Sequence, residues 1–228
     1  HTLDRHLAAF AAEGLTDAWS RVVGLVVQPG LEFAPTHIDH FDMTAPDYLS
    51  AALSGTPHIA FEAHSTDYQR DAVYPDLAGR HFAVLKVGPA LTFAYRQALY
   101  ALDAMSQWVD PARSGHDLAD VMEALMLAKP AYWGKHYEGS AADLRLQRHF
   151  GYADRIRYYW PEAPAQTAIA QLFKAMTPAV PAPLTRQYFS PSVIHRAKSL
   201  EPATKSWARA LVWAQVQDML APYLFEVK

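Results

Sequence analysis

The 228-residue chain carries 20 Lys and Arg against 23 Asp and Glu, a formal charge of -3, with 51% apolar residues, 12% aromatics and no cysteine. That apolarity excludes intrinsic disorder; the weakly negative balance leaves no footprint for nucleic acid or an anionic membrane. Without thiols there are no disulfides, thiolate metal sites or cysteine nucleophile, which suits a cytoplasmic location.

The first residue is His1, and the chain runs straight into a helical pattern through Leu3, Leu7, Phe10 and Ala11. Processing, a tag or a missing N-terminal portion would each account for that start. No apolar stretch approaches the length a bilayer needs and no signal peptide is visible, so no membrane partner is expected.

Three short apolar runs follow, Arg21 to Val27, His58 to Ala63 and Phe82 to Val87, each rich in β-branched or aromatic residues and each ended by Gly, Pro or polar punctuation. Their near-continuous apolarity predicts parallel strands covered on both faces, and the gaps between them leave room for helical crossovers. After Pro89 the pattern becomes helical. Thr92 to Val109 reads as a mostly buried helix with a narrow polar stripe of Arg96, Asp103 and Gln107. Asp117 to Ala128 repeats Leu118, Val121, Met122 and Leu125 at helical spacing. Ala163 to Met176 is the next helix, with Pro178, Pro181 and Pro183 ending it. The last helix is expected from Pro202 to about Pro222, burying Trp207, Leu211 and Met219.

Three parallel strands do not close a barrel, and an eight-unit barrel needs about 250 residues. Three βα units followed by a helical tail therefore read as the end of a larger α/β fold.

Alternation along the strands separates their two faces. Ile59, Phe61 and Ala63 share one face of the second run; Ala60, Glu62 and His64 share the other. In the third run Ala83, Leu85 and Val87 oppose Val84, Lys86 and Gly88. With the bulky sets packed on helices, Glu62, His64 and Lys86 should converge near the carboxyl ends of neighbouring strands, where α/β proteins bind ligands. Two readings stand: His64 is a metal ligand or general base with Glu62 and Lys86 as electrostatic neighbours, or Glu62 and Lys86 form an ion pair beside a hydrogen-bonded His64.

Lys86-Val87-Gly88-Pro89-Ala90-Leu91-Thr92 runs from strand into helix, where backbone N–H groups can face an anion; Thr92 could cap the helix and bond a phosphate oxygen, although an ordinary βα turn reads the same way. Gln28-Pro29-Gly30 is a weaker case of the same kind. His37-Ile38-Asp39-His40 lacks the i, i+4 spacing of a helical zinc pair, and the aromatic-basic Arg155 to Pro161 segment reads more readily as packing than as a sugar-phosphate contact. No nucleotide-binding glycine loop is present.

Phe61-Glu62-Ala63-His64-Ser65-Thr66-Asp67-Tyr68-Gln69 resembles the GatZ/KbaZ-type subunit of class II D-tagatose-1,6-bisphosphate aldolase. Leu25 to Phe33, His81 to Ala94 and Arg157-Tyr158-Tyr159-Trp160-Pro161 are similar to that family in the same order. The resemblance implies a TIM (β/α)8 barrel, this chain supplying its last three βα units over residues 1–110 and a helical C-terminal extension over 111–228. The missing N-terminal half of the barrel would then be a partner, along with the catalytic aldolase subunit, in an oligomer acting on tagatose or fructose phosphates in galactitol, tagatose or N-acetylgalactosamine breakdown. Members support the stability and activity of the catalytic subunit; some relatives look like metal-dependent ketose-phosphate 4-epimerases. An older family label, tagatose-6-phosphate kinase, sits poorly with the absent nucleotide loops. By this resemblance His64 is the ligand to a divalent metal, zinc first, or the base; Glu62 and Lys86 act beside it, and Gly88, Thr92 and Ser65 contact the substrate phosphate. No role is transferred beyond Pro183.

Overall fold

A computed structural model describes residues 1–109, 118–177 and 180–226. The chain is mixed α/β and mostly helical. It divides into two compact units, one built mainly from residues 1–32 and 39–86, the other from 33–38 and 87–224. The domain boundary expected at 110/111 lies outside the described residues.

The first unit opens with α1 (Thr2–Ala12) and α2 (Thr16–Trp19), followed by β1 (Gly24–Val26). The chain then makes a short ribbon, β2 (Glu32–Phe33) with β3 (Ile38–Asp39), of which Phe33 and Ile38 fall in the second unit, so the His37 to His40 stretch is partly strand. β4 (Ala60–Ala63), α3 (Val73–Gly79) and β5 (Phe82–Leu85) complete it. The sheet order is β1-β4-β5 with both pairings parallel, as the three apolar runs predict. Leu31, Ile59, Phe61, Ala63, Leu77 and Phe82 are buried together on one side of it. At about 1.5–3 kcal/mol for each fully buried large apolar side chain, this cluster is what fixes the sheet on α3.

Two expectations need correction here. The strands are not covered on both faces: Val23, Val26 and Val84 remain 66%, 53% and 49% exposed. And alternation fails once. Phe61 pairs with Phe82 but Glu62 pairs with Val84, leaving Ala83 as an extra residue. This bulge turns Phe82 inward, its ring 5.1 Å from Phe61, and leaves Ala83 exposed rather than packed.

The second unit is helical. α4 (Pro89–Val109) starts three residues earlier than expected and buries Leu99, Leu102 and Met105. Of its polar stripe only Gln107 is exposed; Arg96 is 2% and Asp103 6% exposed. Arg96 Nε donates to Asp154 Oδ1 at 3.0 Å, and the Leu118 N–H donates to Asp103 Oδ2 at 2.7 Å. α5 (Leu118–Ala128) buries Leu118, Met122 and Met126 at the expected spacing; Asp117 lies outside the described residues. α6 (Ala141–Phe150) was not anticipated although a Ser140–Asp143 capping box begins it.

α7 (Ala163–Ala175) matches its prediction. The prolines after it do something different from what was expected. Pro181 precedes and Pro183 opens α8 (Ala182–Tyr188), while Pro178 lies outside the described residues. α9 (Pro191–Thr204) starts on Pro191 behind the Ser190 cap. Pro202 therefore sits in the last turn of α9 rather than starting the final helix. α10 (Trp207–Leu220) begins after Ser206, whose hydroxyl accepts the Arg209 N–H. Leu211 is fully buried; Trp207 and Met219 are only partly so. No helix among the described residues is long and apolar enough to cross a membrane.

Candidate functional site

Glu62 and His64 project from the end of β4 onto the open face of the sheet, in line with Val26 on β1 and Val84 on β5. His64 Nε2 lies 2.6 Å from Glu62 Oε1, and each side chain is 32% exposed. An ionised carboxylate can only accept, so the shared proton sits on Nε2 and leaves Nδ1 with a lone pair. Among the described residues Nδ1 has no hydrogen-bond partner. The carboxylate thus fixes the orientation of the imidazole ring, which is how a histidine base is positioned.

Lys86 follows β5 beside His64: its N–H donates to the Ala63 carbonyl at 2.9 Å. Its side chain is exposed and makes no ion pair among the described residues, so the expected alternative of a Glu62–Lys86 pair is not formed; Glu62 pairs with His64 instead.

The loop after β4 is fastened by buried polar side chains. Thr66 Oγ1 donates to the Lys86 carbonyl at 2.9 Å, tying the ends of β4 and β5 together, and Tyr74 OH donates to the Thr66 carbonyl at 3.3 Å. Gln69 accepts from the Phe41 N–H at 3.0 Å and donates to the Asp39 carbonyl at 3.2 Å. Ser65 and Tyr68 hold φ of 56° and 63°. Left-handed backbone at non-glycine residues costs on the order of 1 kcal/mol each, and here the fastened loop holds it immediately beyond His64.

Gly88 and Thr92 belong to the second unit. Gly88 directly precedes α4, and its carbonyl accepts the Leu91 N–H at 3.1 Å. Thr92 lies inside the first turn, not at the cap. Its hydroxyl is engaged by the Pro89 carbonyl, 3.1 Å away, and by the Asp154 carboxyl. The Thr92 hydroxyl would have to release these partners to meet a ligand.

The Arg155 to Pro161 segment is a 3-10 turn over Arg155–Tyr159 that buries Ile156 and Tyr159. Arg155 Nη1 donates to the Tyr132 carbonyl at 2.8 Å and Arg157 Nη1 to the Asp154 carbonyl at 3.0 Å, so both arginines serve packing.

Sequence reasoning overlooked a chain of hydrogen bonds in the second unit. Tyr100 OH lies 2.7 Å from His149 Nδ1, and His149 Nε2 lies 3.1 Å from Glu123 Oε2. Arg148 Nε donates to the same carboxylate oxygen at 2.8 Å. Three successive polar residues, Gln147, Arg148 and His149, inside an amphipathic helix were the available signal. The Arg148 hydrogen bond holds the Glu123 carboxyl below its ordinary value of 4.5, against the upward push of burial. A depressed carboxylate contributes stability above its unfolded pKa and loses it as pH falls through the folded one. Glu123→Gln should accordingly flatten the fall of Tm between about pH 5 and pH 3 relative to the unsubstituted chain. Parallel Tm curves for the two proteins would contradict this.

The whole chain, residues 1–228, matches the family model described as D-tagatose-1,6-bisphosphate aldolase subunit GatZ/KbaZ-like. The chain belongs to this family. It is 43% identical over 224 residues to a D-tagatose 6-phosphate 4-epimerase of Agrobacterium fabrum (strain C58 / ATCC 33970), covering 98% of this chain and 51% of that protein. A crystal structure of a probable tagatose 6 phosphate kinase from Sinorhizobium meliloti 1021 matches with a TM-score of 0.87 at 42% identity, over 97% of this chain and 57% of that one. This GatZ/KbaZ-like chain thus spans about half the length of the relatives it matches.

A catalytic zinc takes three protein ligands and an open position. His64 and Glu62 offer two donors that already bond each other, and no group of three His, Asp or Glu among the described residues could hold a metal ion. The described residues of this GatZ/KbaZ-like chain do not by themselves make up a metal centre.

Proposed function

We propose that the protein acts on phosphorylated ketohexoses of the tagatose type, and that its reaction is epimerisation at C4. The observation that carries this reading is the Glu62–His64 pair, with an unpartnered ring nitrogen, at the strand ends beside Lys86. His64 Nδ1 takes the proton of the C4 hydroxyl as the C3–C4 bond breaks, giving an aldehyde and an enediolate. The aldehyde turns over, the bond re-forms on its opposite face, and the same proton returns to the new C4 oxygen. Atoms and electrons balance without an oxidant. Glu62 supports the imidazolium in between, and Lys86 offsets the enediolate or phosphate charge. Ser65, next to His64, is the phosphate contact in this reading.

The reading includes the barrel. The open sheet face, with its exposed valines, would be covered by further β/α units in a (β/α)8 arrangement, placing Glu62 and His64 in the barrel mouth.

A second reading follows from the family description, an aldolase subunit: the protein supports a catalytic class II aldolase subunit. One pair of measurements separates the two. The full natural protein, given tagatose 6-phosphate alone, should form fructose 6-phosphate; the supporting reading instead requires no turnover alone and a gain in aldolase activity when the catalytic subunit is added. Absence of epimer at any enzyme concentration sinks the epimerase.

A further inference from the structure

A pocket of about 450 Å³ opens in the second unit, within the size range of small-molecule sites. It lies along one stripe of α6, where Ala142, Arg145, Leu146, His149 and Phe150 recur at i, i+3, i+4, i+7 and i+8, facing Tyr100 of α4 and Ala119 of α5. Leu146 and Phe150 are 60% and 54% exposed, a large apolar surface for so short a helix.

The floor of this pocket is held in one state. Glu123 is kept ionised by Arg148 and can only accept, so His149 Nε2 carries a hydrogen and donates to it. Burial keeps His149 neutral by lowering its pKa, and raises that of Tyr100. His149 Nδ1 is then an acceptor and the Tyr100 hydroxyl donates to it. Every hydrogen of the chain Tyr100–His149–Glu123 is committed inward, so the floor offers aromatic surface and no free donor.

Among the described residues that line the pocket, a positive charge is left over. Arg148 is matched by Glu123 and Arg96 by Asp154. Arg145, exposed at the rim, has no ion-pair or hydrogen-bond partner among the described residues. One unmatched cation over an apolar, aromatic-floored pocket is the complement of one negative charge on an apolar body.

We propose that this pocket binds a small monocarboxylate with an apolar body, its carboxylate on Arg145 and its body between Leu146, Phe150 and the Tyr100 ring. A carboxylate suits the planar two-pronged guanidinium, and the pocket has room for a phenyl-sized group. The inference concerns a second site and does not depend on the epimerase reading.

The test titrates the full chain with 3-phenylpropionate and with neutral 3-phenylpropanamide, following aromatic ring resonances by NMR. The acid should bind saturably with shifts at Phe150 and Tyr100, and the amide about ten-fold more weakly or less. Arg145→Gln should bring the acid down to the amide's affinity, and Arg145→Lys should restore part of the difference. Arg145 is exposed, so an unchanged Tm will certify the fold of these variants; Leu146→Asp, also exposed, should abolish acid binding. Equal affinities for acid and amide, undiminished acid binding in Arg145→Gln, or saturable shifts only at residues outside the pocket would overturn the proposal.

Discussion

Replacing His64 with glutamine is expected to lower kcat/KM for tagatose 6-phosphate by about 10²–10⁴-fold, the range over which a positioned proton-transfer group contributes. Glutamine can still donate an amide hydrogen to Glu62 Oε1, so the loop keeps its anchor and the loss reports the missing base. KM should change little, because in the proposed reaction Nδ1 acts on the C4 proton and not on the phosphate. Glu62→Gln should lose less. It leaves the imidazole able to accept a proton but removes the negative charge that stabilises the imidazolium and fixes the tautomer. Lys86→Met should act in the opposite sense, raising KM for the dianionic substrate more than it lowers kcat. The kinetics of the three variants in the full natural protein decide the assignment; undiminished turnover in His64→Gln removes His64 from the chemistry.

How much of this was legible depends on the range of the interaction that made each feature. The parallel strands and the shared face of Glu62 and His64 were readable because alternation within one strand is local. The same rule failed at Ala83, since a bulge is decided by what the partner strand offers and not by composition. The helices α8 and α9 were hidden by the prolines. Pro181 and Pro183 look like terminators after α7, yet proline in a first turn costs nothing, its missing N–H being unpaired there anyway. Ser190-Pro191 was a legible start for the same reason. Pro202 misled in reverse: as helix end or helix start its sequence context is alike, and the signal that settles it is Ser206 capping Arg209 four residues on. The Tyr100–His149–Glu123 chain and the burial of Arg96 join residues up to 58 positions apart, which no window along the sequence contains.

That Arg96 carries the largest stability effect expected in the molecule. It is 2% exposed, paired through Nε to an Asp154 that is 1% exposed, and its guanidinium stacks 4.0 Å above the Phe93 ring. Arg96 Nη2 and Asp154 Oδ2 have no hydrogen-bond partner, so the pair satisfies the charges without satisfying every polar atom. Burial pushes the Asp154 carboxyl above its ordinary value even against the Arg96 charge. A raised carboxyl contributes stability below its unfolded pKa and loses it as pH rises through the folded value, so the ionised pair is sustained at neutral pH by the surrounding packing. Removing one partner strands the other: Asp154→Ala should destabilise the chain by about 3–5 kcal/mol at neutral pH, measured by denaturant unfolding. Left-handed φ at Asp154 sharpens the loss, since alanine tolerates 43° less well than aspartate. Asp154→Asn keeps both shape and backbone preference, and should lose less than the alanine variant. The double variant Arg96→Met, Asp154→Asn, which removes both charges, should recover part of the loss. If it is as unstable as the sum of its single changes, the pair is not coupled, and the stability of this region rests on Arg96 stacking over the aromatic rings instead.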